Sequence, residues 1–167
     1  SANNGGALYL QTSKVNIEGS EFFNNTATNS PGAISLTNCN ATIIGCSIYN
    51  NRASKDAAAI TINAGQILSQ PTTYIPSNVV MENCVIENNT ATQKAPAILV
   101  LNSNLNISYS VIDNEFNINN TVVSNYNNDQ PGTLTANNNW WATNDPTNTV
   151  GGKNIVIGKW VILNIEA

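Results

Sequence analysis

An internal repeat covers about two thirds of the 167-residue chain. Residues 6–10 align without gaps with residues 32–36, 58–62 and 96–100, at successive offsets of 26, 26 and 38 residues. The last offset is one 26-residue period plus 12 inserted residues. A fixed period in this range predicts a stacked repeat architecture, in which each unit contacts its neighbours along the stack.

Alternation of apolar and polar residues indicates that the repeating elements are strands. Residues 15–17 read Val-Asn-Ile and residues 41–43 read Ala-Thr-Ile, and side chains on a strand point alternately to its two faces. Asn, Thr and Ser fill the gaps between the apolar runs, as is typical of turns. The sequence therefore predicts an all-β chain: a single-stranded parallel β-helix, or solenoid, with about five coils of roughly 26 residues.

The repeat divides this single predicted domain, residues 1–167, into two parts. We expect four regular coils in residues 1–118, with an insertion at 64–77, and a last irregular coil with a C-terminal cap in residues 119–167. Residues 5–7 already open a coil. Since an open coil end exposes backbone and apolar groups, we expect the chain to be an excerpt of a longer protein.

Stacked coils place equivalent residues in columns, and one column consists of asparagines. Asn24, Asn50, Asn88 and Asn114 occupy the same position in four successive repeats. Amide side chains stacked at a turn can bond to each other and to turn backbone groups. We interpret these four residues as a structural asparagine ladder.

The 12-residue insertion interrupts the third coil within residues 64–77, and its two prolines and one glycine predict a loop. Apolar side chains such as Leu68 are costly to leave in water, so we expect the loop to fold back over a sheet face. Two alternatives remain open: an elaborated turn, or a binding loop in which Gln66, Tyr74 and Ile75 contact a ligand.

Three tryptophans lie near the end of the repeat series. Ala136 follows Ser110 by 26 residues, which places the last strand of a fifth coil there. We expect Trp140, Trp141 and Trp160 to form a structural cap over the open end of the core. The alternative is that exposed tryptophans stack on sugars.

Three cysteines, an odd number, argue against a disulfide framework. Cys46 and Cys84 share one column, where parallel Cβ directions suit a disulfide poorly. We therefore expect both to be small buried thiols, and Cys39, at a turn position, to be more exposed.

Five Asn-x-Ser/Thr sequences occur, at Asn24, Asn40, Asn88, Asn106 and Asn119. Asn24 and Asn88 belong to the predicted inward ladder, which excludes a glycan there. Asn40 and Asn106 lie at a turn or an outward strand position and are expected to be accessible.

Composition limits the function classes. The net charge is −4 and only 10% of residues are charged, with no basic stripe for nucleic acid. No apolar run approaches the 18 residues of a membrane span. The chain has no histidine, which excludes catalysis by histidine, and we expect no cofactor and no metal site.

One acidic pair keeps an enzymatic alternative open. Stacking brings Glu87 beside Asp113 on the outward side of the third strand, and paired carboxylates carry out glycoside hydrolysis. Neither Lys nor Arg lies in that column, as a lyase base would require. We interpret the pair as solvated surface charge.

A family resemblance adds to these expectations. Residues 5–10 and 24–27 (Gly-Gly-Ala-Leu-Tyr-Leu and Asn-Asn-Thr-Ala) resemble the coils of right-handed pectate-lyase-like β-helices in cell-surface proteins. Residues 139–144 and 159–164 (Asn-Trp-Trp-Ala-Thr-Asn and Lys-Trp-Val-Ile-Leu-Asn) resemble the end of the β-helix in adhesin-like surface proteins of methanogenic archaea, with Ala142 where Gly is usual. The resemblance implies secretion, display on the archaeal envelope, and immunoglobulin-like or wall-anchoring modules in the parent protein.

Together these observations predict a right-handed parallel β-helix that serves as a non-catalytic, extracellular cell-surface module. Its expected partner is a carbohydrate or a surface protein of another cell. The first alternative is a polysaccharide lyase or glycoside hydrolase of the same fold. The second is a structural stalk without a ligand.

Overall fold

The computed structural model describes residues 6–29, 31–93, 95–114, 123–126 and 132–164, with only the backbone described at residues 71–72 and 123–126. In these ranges the chain consists of β-strands and one short 3-10 helix. The expectations for residue 118 as a coil boundary and for Asn119 as a glycan acceptor concern residues outside the described ranges.

The chain passes six times through the same series of sheets, and each passage is called a circuit here. Circuit 1 contains β1 (Leu8–Gln11), β2 (Lys14–Glu18), β3 (Glu21–Phe23) and β4 (Thr26–Ala27). Circuit 2 contains β5 (Ile34–Thr37), β6 (Asn40–Ile44), β7 (Ser47–Tyr49) and β8 (Arg52–Ala53). Circuit 3 contains β9 (Ile60–Asn63), β10 (Gly65–Ile67), β11 (Gln70–Ile75), β12 (Asn78–Glu82), β13 (Val85–Glu87) and β14 (Thr90–Ala91).

The remaining circuits are less uniform. Circuit 4 contains β15 (Ile98–Leu101), β16 (Asn104–Ser108) and β17 (Val111–Asp113). Circuit 5 contains β18 (Val123–Tyr126) and β19 (Leu134–Asn137), and the 3-10 helix η1 (Pro146–Asn148) follows. Circuit 6 contains β20 (Val150–Gly152) and β21 (Ile155–Ile157).

Equivalent strands of successive circuits pair in parallel. Sheet 1 has the order β1-β5-β9-β15-β18-β20 and sheet 2 the order β2-β6-β12-β16-β19-β21. Sheet 3 contains β3-β7-β13-β17 and sheet 4 contains β4-β8-β14. In sheet 1, Leu8 pairs with Ile34, Ile34 with Ile60 and Ile60 with Ile98. The predicted all-β chain with parallel strands and this repeat register is confirmed.

The register changes after circuit 4. Ala136 pairs with Ile107 in sheet 2, so its assignment to the third strand of the fifth repeat is wrong. Trp140 occupies the third-strand position instead, through an isolated parallel bridge to Val111. Sheets 1 and 2 each have six strands, one more than the five predicted passages, because β20 and β21 form a further circuit.

The core lies between the inner faces of sheets 1, 2 and 3. In circuit 2, Ile34, Ile43 and Ile48 come from the three sheets, are 0% exposed and belong to one cluster. Burial of each such side chain contributes about 2 kcal/mol. The same positions in other circuits are filled by Ile60, Met81, Ile86, Ile98, Ile107 and Ile112.

The asparagine ladder lies one residue later than predicted in three of its four members. Asn24, Asn50 and Asn88 are exposed, with positive φ angles of 55°, 55° and 53°. Asparagine tolerates this left-handed conformation. The turn it creates directs the following residue inward, which explains the one-residue error.

The hydrogen-bonded ladder consists of Asn25, Asn51, Asn89 and Asn114, of which Asn114 alone was assigned correctly. Oδ1 of Asn89 accepts from the backbone N of Asn51 at 3.1 Å and from its Nδ2 at 2.9 Å. Nδ2 of Asn51 also donates to the carbonyl of Phe22 at 2.9 Å. Asn25 bonds to Asn51, and Asn89 to Asn114, in the same way.

Two of the three tryptophans contact the core. Trp141 is 3% exposed within the core cluster, and Trp160 is partly buried against it. The indole Nε1 of Trp160 donates to the carbonyl of Asn144 at 3.0 Å. Trp140 is half-buried and is not part of that cluster.

All three cysteines are free and buried. This agrees with the expectation for Cys46 and Cys84, but the exposed position expected for Cys39 is wrong. Its thiol faces the carbonyl groups of Leu10 and Thr37 at 3.5 and 3.3 Å. The backbone N of Cys39 donates to the hydroxyl of Ser77 at 2.9 Å, so the insertion separates Cys39 from its true column neighbour.

Replacing Asn89 with alanine tests the corrected ladder. We expect Asn89→Ala to lower the free energy of unfolding by about 3 kcal/mol, because it leaves several buried donors and acceptors unpaired. The matched control is Asn88→Gly, which keeps the left-handed backbone and removes an exposed side chain, with an expected change within about 0.5 kcal/mol. Urea unfolding followed by circular dichroism measures both, and equal losses would contradict the corrected register.

Thiol reactivity tests the burial of the cysteines. We expect none of the three thiols to react with Ellman's reagent in the folded protein and all three to react after denaturation. Burial raises the pKa of the Cys84 thiol, which further lowers its thiolate fraction. Rapid native labelling of Cys39 would instead support its turn-exposed position.

Candidate functional site

The outer face of sheet 2 is the candidate binding surface. Along β2, Lys14, Asn16 and Glu18 are exposed, whereas Val15 is half-buried and Ile17 is 8% exposed. The alternation follows from the two-residue period of a strand. Because β6 and β12 pair in register with β2 and with each other, the outward residues of three circuits form one surface.

A concavity of about 610 Å³ lies on this face. Opposite charges lie on β2, at Lys14 and Glu18, and the apolar side chains Ile44 and Val80 line the same surface. The amide Nδ2 of Asn16 donates to Oε1 of Glu18 at 2.6 Å. Its full lining is Lys14, Val15, Asn16, Glu18, Asn40, Ala41, Thr42, Ile44, Asn78 and Val80.

A second, exposed row of amides is aligned across the strands. Nδ2 of Asn78 donates to Oδ1 of Asn40 at 3.1 Å, and Nδ2 of Asn104 donates to Oδ1 of Asn78 at 2.8 Å. Oδ1 of Asn104 accepts from the backbone N of Thr133 at 2.9 Å. These bonds fix the orientation of each amide before any ligand arrives, which lowers the entropic cost of binding.

A neighbouring concavity of about 340 Å³ extends the surface to the corner of circuits 1 and 2. Lys14, Asn40 and Asn78 line both concavities, and we call the joined surface the sheet 2 groove. Ile75 and Pro76, at the end of the insertion, line the smaller concavity. The groove therefore lies between the strands of sheet 2 and the base of the inserted segment.

The insertion is a β-hairpin and not a loop that folds over a sheet. Strands β10 and β11 are antiparallel and form a two-stranded sheet of their own. Leu68 at its turn is 94% exposed, so the expectation that its side chain is covered is wrong. The base is seated closely, because a Cβ on Gly65 would lie 2.7 Å from the Cβ of Asn38.

The three residues predicted to contact a ligand are divided by the hairpin geometry. Gln66 pairs directly with Tyr74, and Gly65 with Ile75. Neighbouring residues on a strand face opposite sides, so Ile75 faces away from the side that carries Tyr74. Ile75 lines the sheet 2 groove, whereas Gln66 and Tyr74 do not line either of its concavities. Ligand contact by these residues stays a prediction.

The groove residues were missed in the sequence, although a signal for them exists. Asn40, Asn78 and Asn104 share one column when residues 65–76 are treated as the 12-residue insertion. That placement of the insertion would also have aligned Ser77 with Cys39.

The acidic pair lies on sheet 3, away from the groove. Glu87 and Asp113 are register partners, as the sequence predicted. The same column contains Phe23 and Tyr49, whose rings stack with centroids 5.3 Å apart and planes at 6°. Rings stacked face to face offer a ligand mainly their edges. No group of three or more His, Cys, Asp or Glu side chains in the described part of the chain is placed to hold a metal ion.

Comparison of the chain with protein-family models, with curated proteins and with solved structures found no match. None of the helices in the described ranges has the length and apolar character needed to cross a membrane. The chemistry of the site therefore has to be argued from its own residues.

Removing the hairpin tests its independence from the fold. Deleting residues 65–76 joins Ala64 to Ser77, the same spacing as Asn102 to Ser103 in circuit 4. Since Asn102 has a positive φ of 50°, the deletion is combined with Ala64→Asn. We expect the melting temperature to change by less than about 4 °C. A fall of about 10 °C or more would show that the hairpin supports the fold.

Proposed function

We propose that this chain is a right-handed parallel β-helix that acts as a non-catalytic, adhesin-like module on a cell surface. It binds an extended carbohydrate chain through the sheet 2 groove. The recurrence of parallel strands at equivalent positions in six circuits supports the β-helix. The resemblance to adhesin-like archaeal surface proteins supports the extracellular location and the presence of further domains in the parent protein.

The composition of the sheet 2 groove carries the proposal for carbohydrate. Asn16, Asn40, Thr42 and Asn78 supply donors and acceptors, and sugar hydroxyl groups need both. Ile44 and Val80 offer apolar surface to the C–H faces of a sugar ring. A polar surface with a few apolar side chains suits a hydrated chain better than the aromatic-rich core typical of a protein interface.

The dimensions suit several sugar residues. The larger concavity spans β2, β6 and β12, and neighbouring strands lie about 4.8 Å apart. The amide row of Asn40, Asn78 and Asn104 runs across these strands. A chain lying along the row would bond to one amide in each circuit, so affinity would accumulate from weak, repeated contacts.

A glycan array with purified chain tests the proposal. We expect saturable binding to an extended glycan, without cleavage of the bound glycan. Asn78→Ala should weaken binding about five- to tenfold, since it removes a hydrogen bond to the ligand worth about 1 kcal/mol. The matched control is Thr135→Ala, on β19 of the same sheet but outside the concavity lining.

Three outcomes would contradict the proposal. Cleavage of a bound polysaccharide, lost in Glu87→Gln, would establish the enzymatic alternative. Binding to a surface protein and not to any glycan would replace the ligand class. No binding to either would leave a structural stalk.

A further inference from the structure

The corner between sheets 3 and 4 presents the same exposed asparagine in three successive circuits. Asn24, Asn50 and Asn88 share the left-handed backbone conformation, with φ of 55°, 55° and 53°. All three are exposed, and their side chains make no hydrogen bond to another described residue. The buried neighbours Asn51 and Asn89 perform the structural role, so the exposed amides are not needed for it.

Two of these three corners carry a complete glycan-acceptor sequence. Asn24 and Asn88 are each followed two residues later by an exposed threonine, Thr26 and Thr90. At the third corner Arg52 replaces the threonine. The Asn-x-Ser/Thr sequence accepts a glycan where it lies on an accessible surface turn.

We propose that Asn24 and Asn88 are N-glycosylation sites. The inference rests on the extracellular location in the proposed function, because glycan transfer requires export. The donor is a lipid-linked oligosaccharide. In the transfer, the bond between the sugar C1 and the phosphate oxygen breaks and a bond from C1 to Nδ2 forms. The lipid phosphate leaves with the electron pair, and the amide loses one proton.

The other two described acceptor sequences are less suited to transfer. Asn40 lies in the sheet 2 groove, and its Oδ1 accepts from Asn78. Asn106 lies in the middle of β16, which is paired on both sides through Val80 and Thr135. A strand held by two neighbours cannot bend into an enzyme site as a corner can.

The position of the two sites also fits the proposed binding surface. Asn24 and Asn88 lie two circuits apart, a separation of about 10 Å along the stack, which leaves room for two glycans side by side. They follow β3 and β13 of sheet 3, so the glycans project from a corner outside the groove. Glycan attachment and ligand binding would thus be compatible.

Glycosylation of the folded chain tests the inference. The purified protein is incubated with a lipid-linked oligosaccharide and a single-subunit oligosaccharyltransferase that requires only Asn-x-Ser/Thr, and intact mass is measured. We expect two added glycans, located at Asn24 and Asn88 by peptide mapping. Thr26→Ala should remove the first and Thr90→Ala the second.

Arg52→Thr is the matched gain-of-site control. It completes the acceptor sequence at Asn50 in the same corner, and we expect a third glycan there. Circular dichroism before and after the reaction establishes that every variant is folded. Occupancy at Asn40 or Asn106 in place of the corner sites would overturn the inference, as would an unmodified chain under conditions that modify a control glycoprotein.

The same samples separate this inference from the proposed function. Glycan-array binding by an unmodified chain would support the module and exclude the modification. Modification at both corners without binding to any glycan would support the sites and contradict the carbohydrate ligand.

Discussion

Side-chain amides hydrogen-bonded from circuit to circuit hold the corner at which the pairing of sheet 3 ends. At a turn the backbone groups of neighbouring circuits no longer face each other, and buried groups left unpaired there each cost about 1–3 kcal/mol. Asn51 and Asn89 meet this requirement with two acceptor and two donor contacts each. The three sheets can therefore close around one apolar core without orphaned groups at this corner.

The outer surface depends on that closure. With the inward positions filled by aliphatic side chains, the alternate positions of each strand are free to vary and to carry chemistry. Sheet 2 uses them for amides, a hydroxyl and two opposite charges, whereas sheet 3 uses them for a stacked aromatic pair followed by two carboxylates. The same backbone repeat thus supports faces of different composition.

Much of the fold could be predicted because strand alternation has a strict period of two. That period assigns Ile34, Ile60 and Ile98 to one inward column without ambiguity. The ladder could not be assigned so easily, since each repeat contains two adjacent asparagines and the choice depends on which one adopts a positive φ. The sheet 2 groove was missed for a different reason: its residues meet only when the 12-residue insertion is removed at the correct boundary, and antiparallel pairing within the insertion has no counterpart in the repeat.

The asparagine ladder has a direction. Each Oδ1 accepts from the circuit before it, and each amide donates toward the circuit after it, from Asn25 through Asn51 and Asn89 to Asn114. The amide dipoles therefore add head to tail along the stack, and hydrogen bonds in such a chain polarise and strengthen one another. Bonds in the middle of the row should accordingly be stronger than those at its ends, so unfolding should fray inward from the terminal circuits.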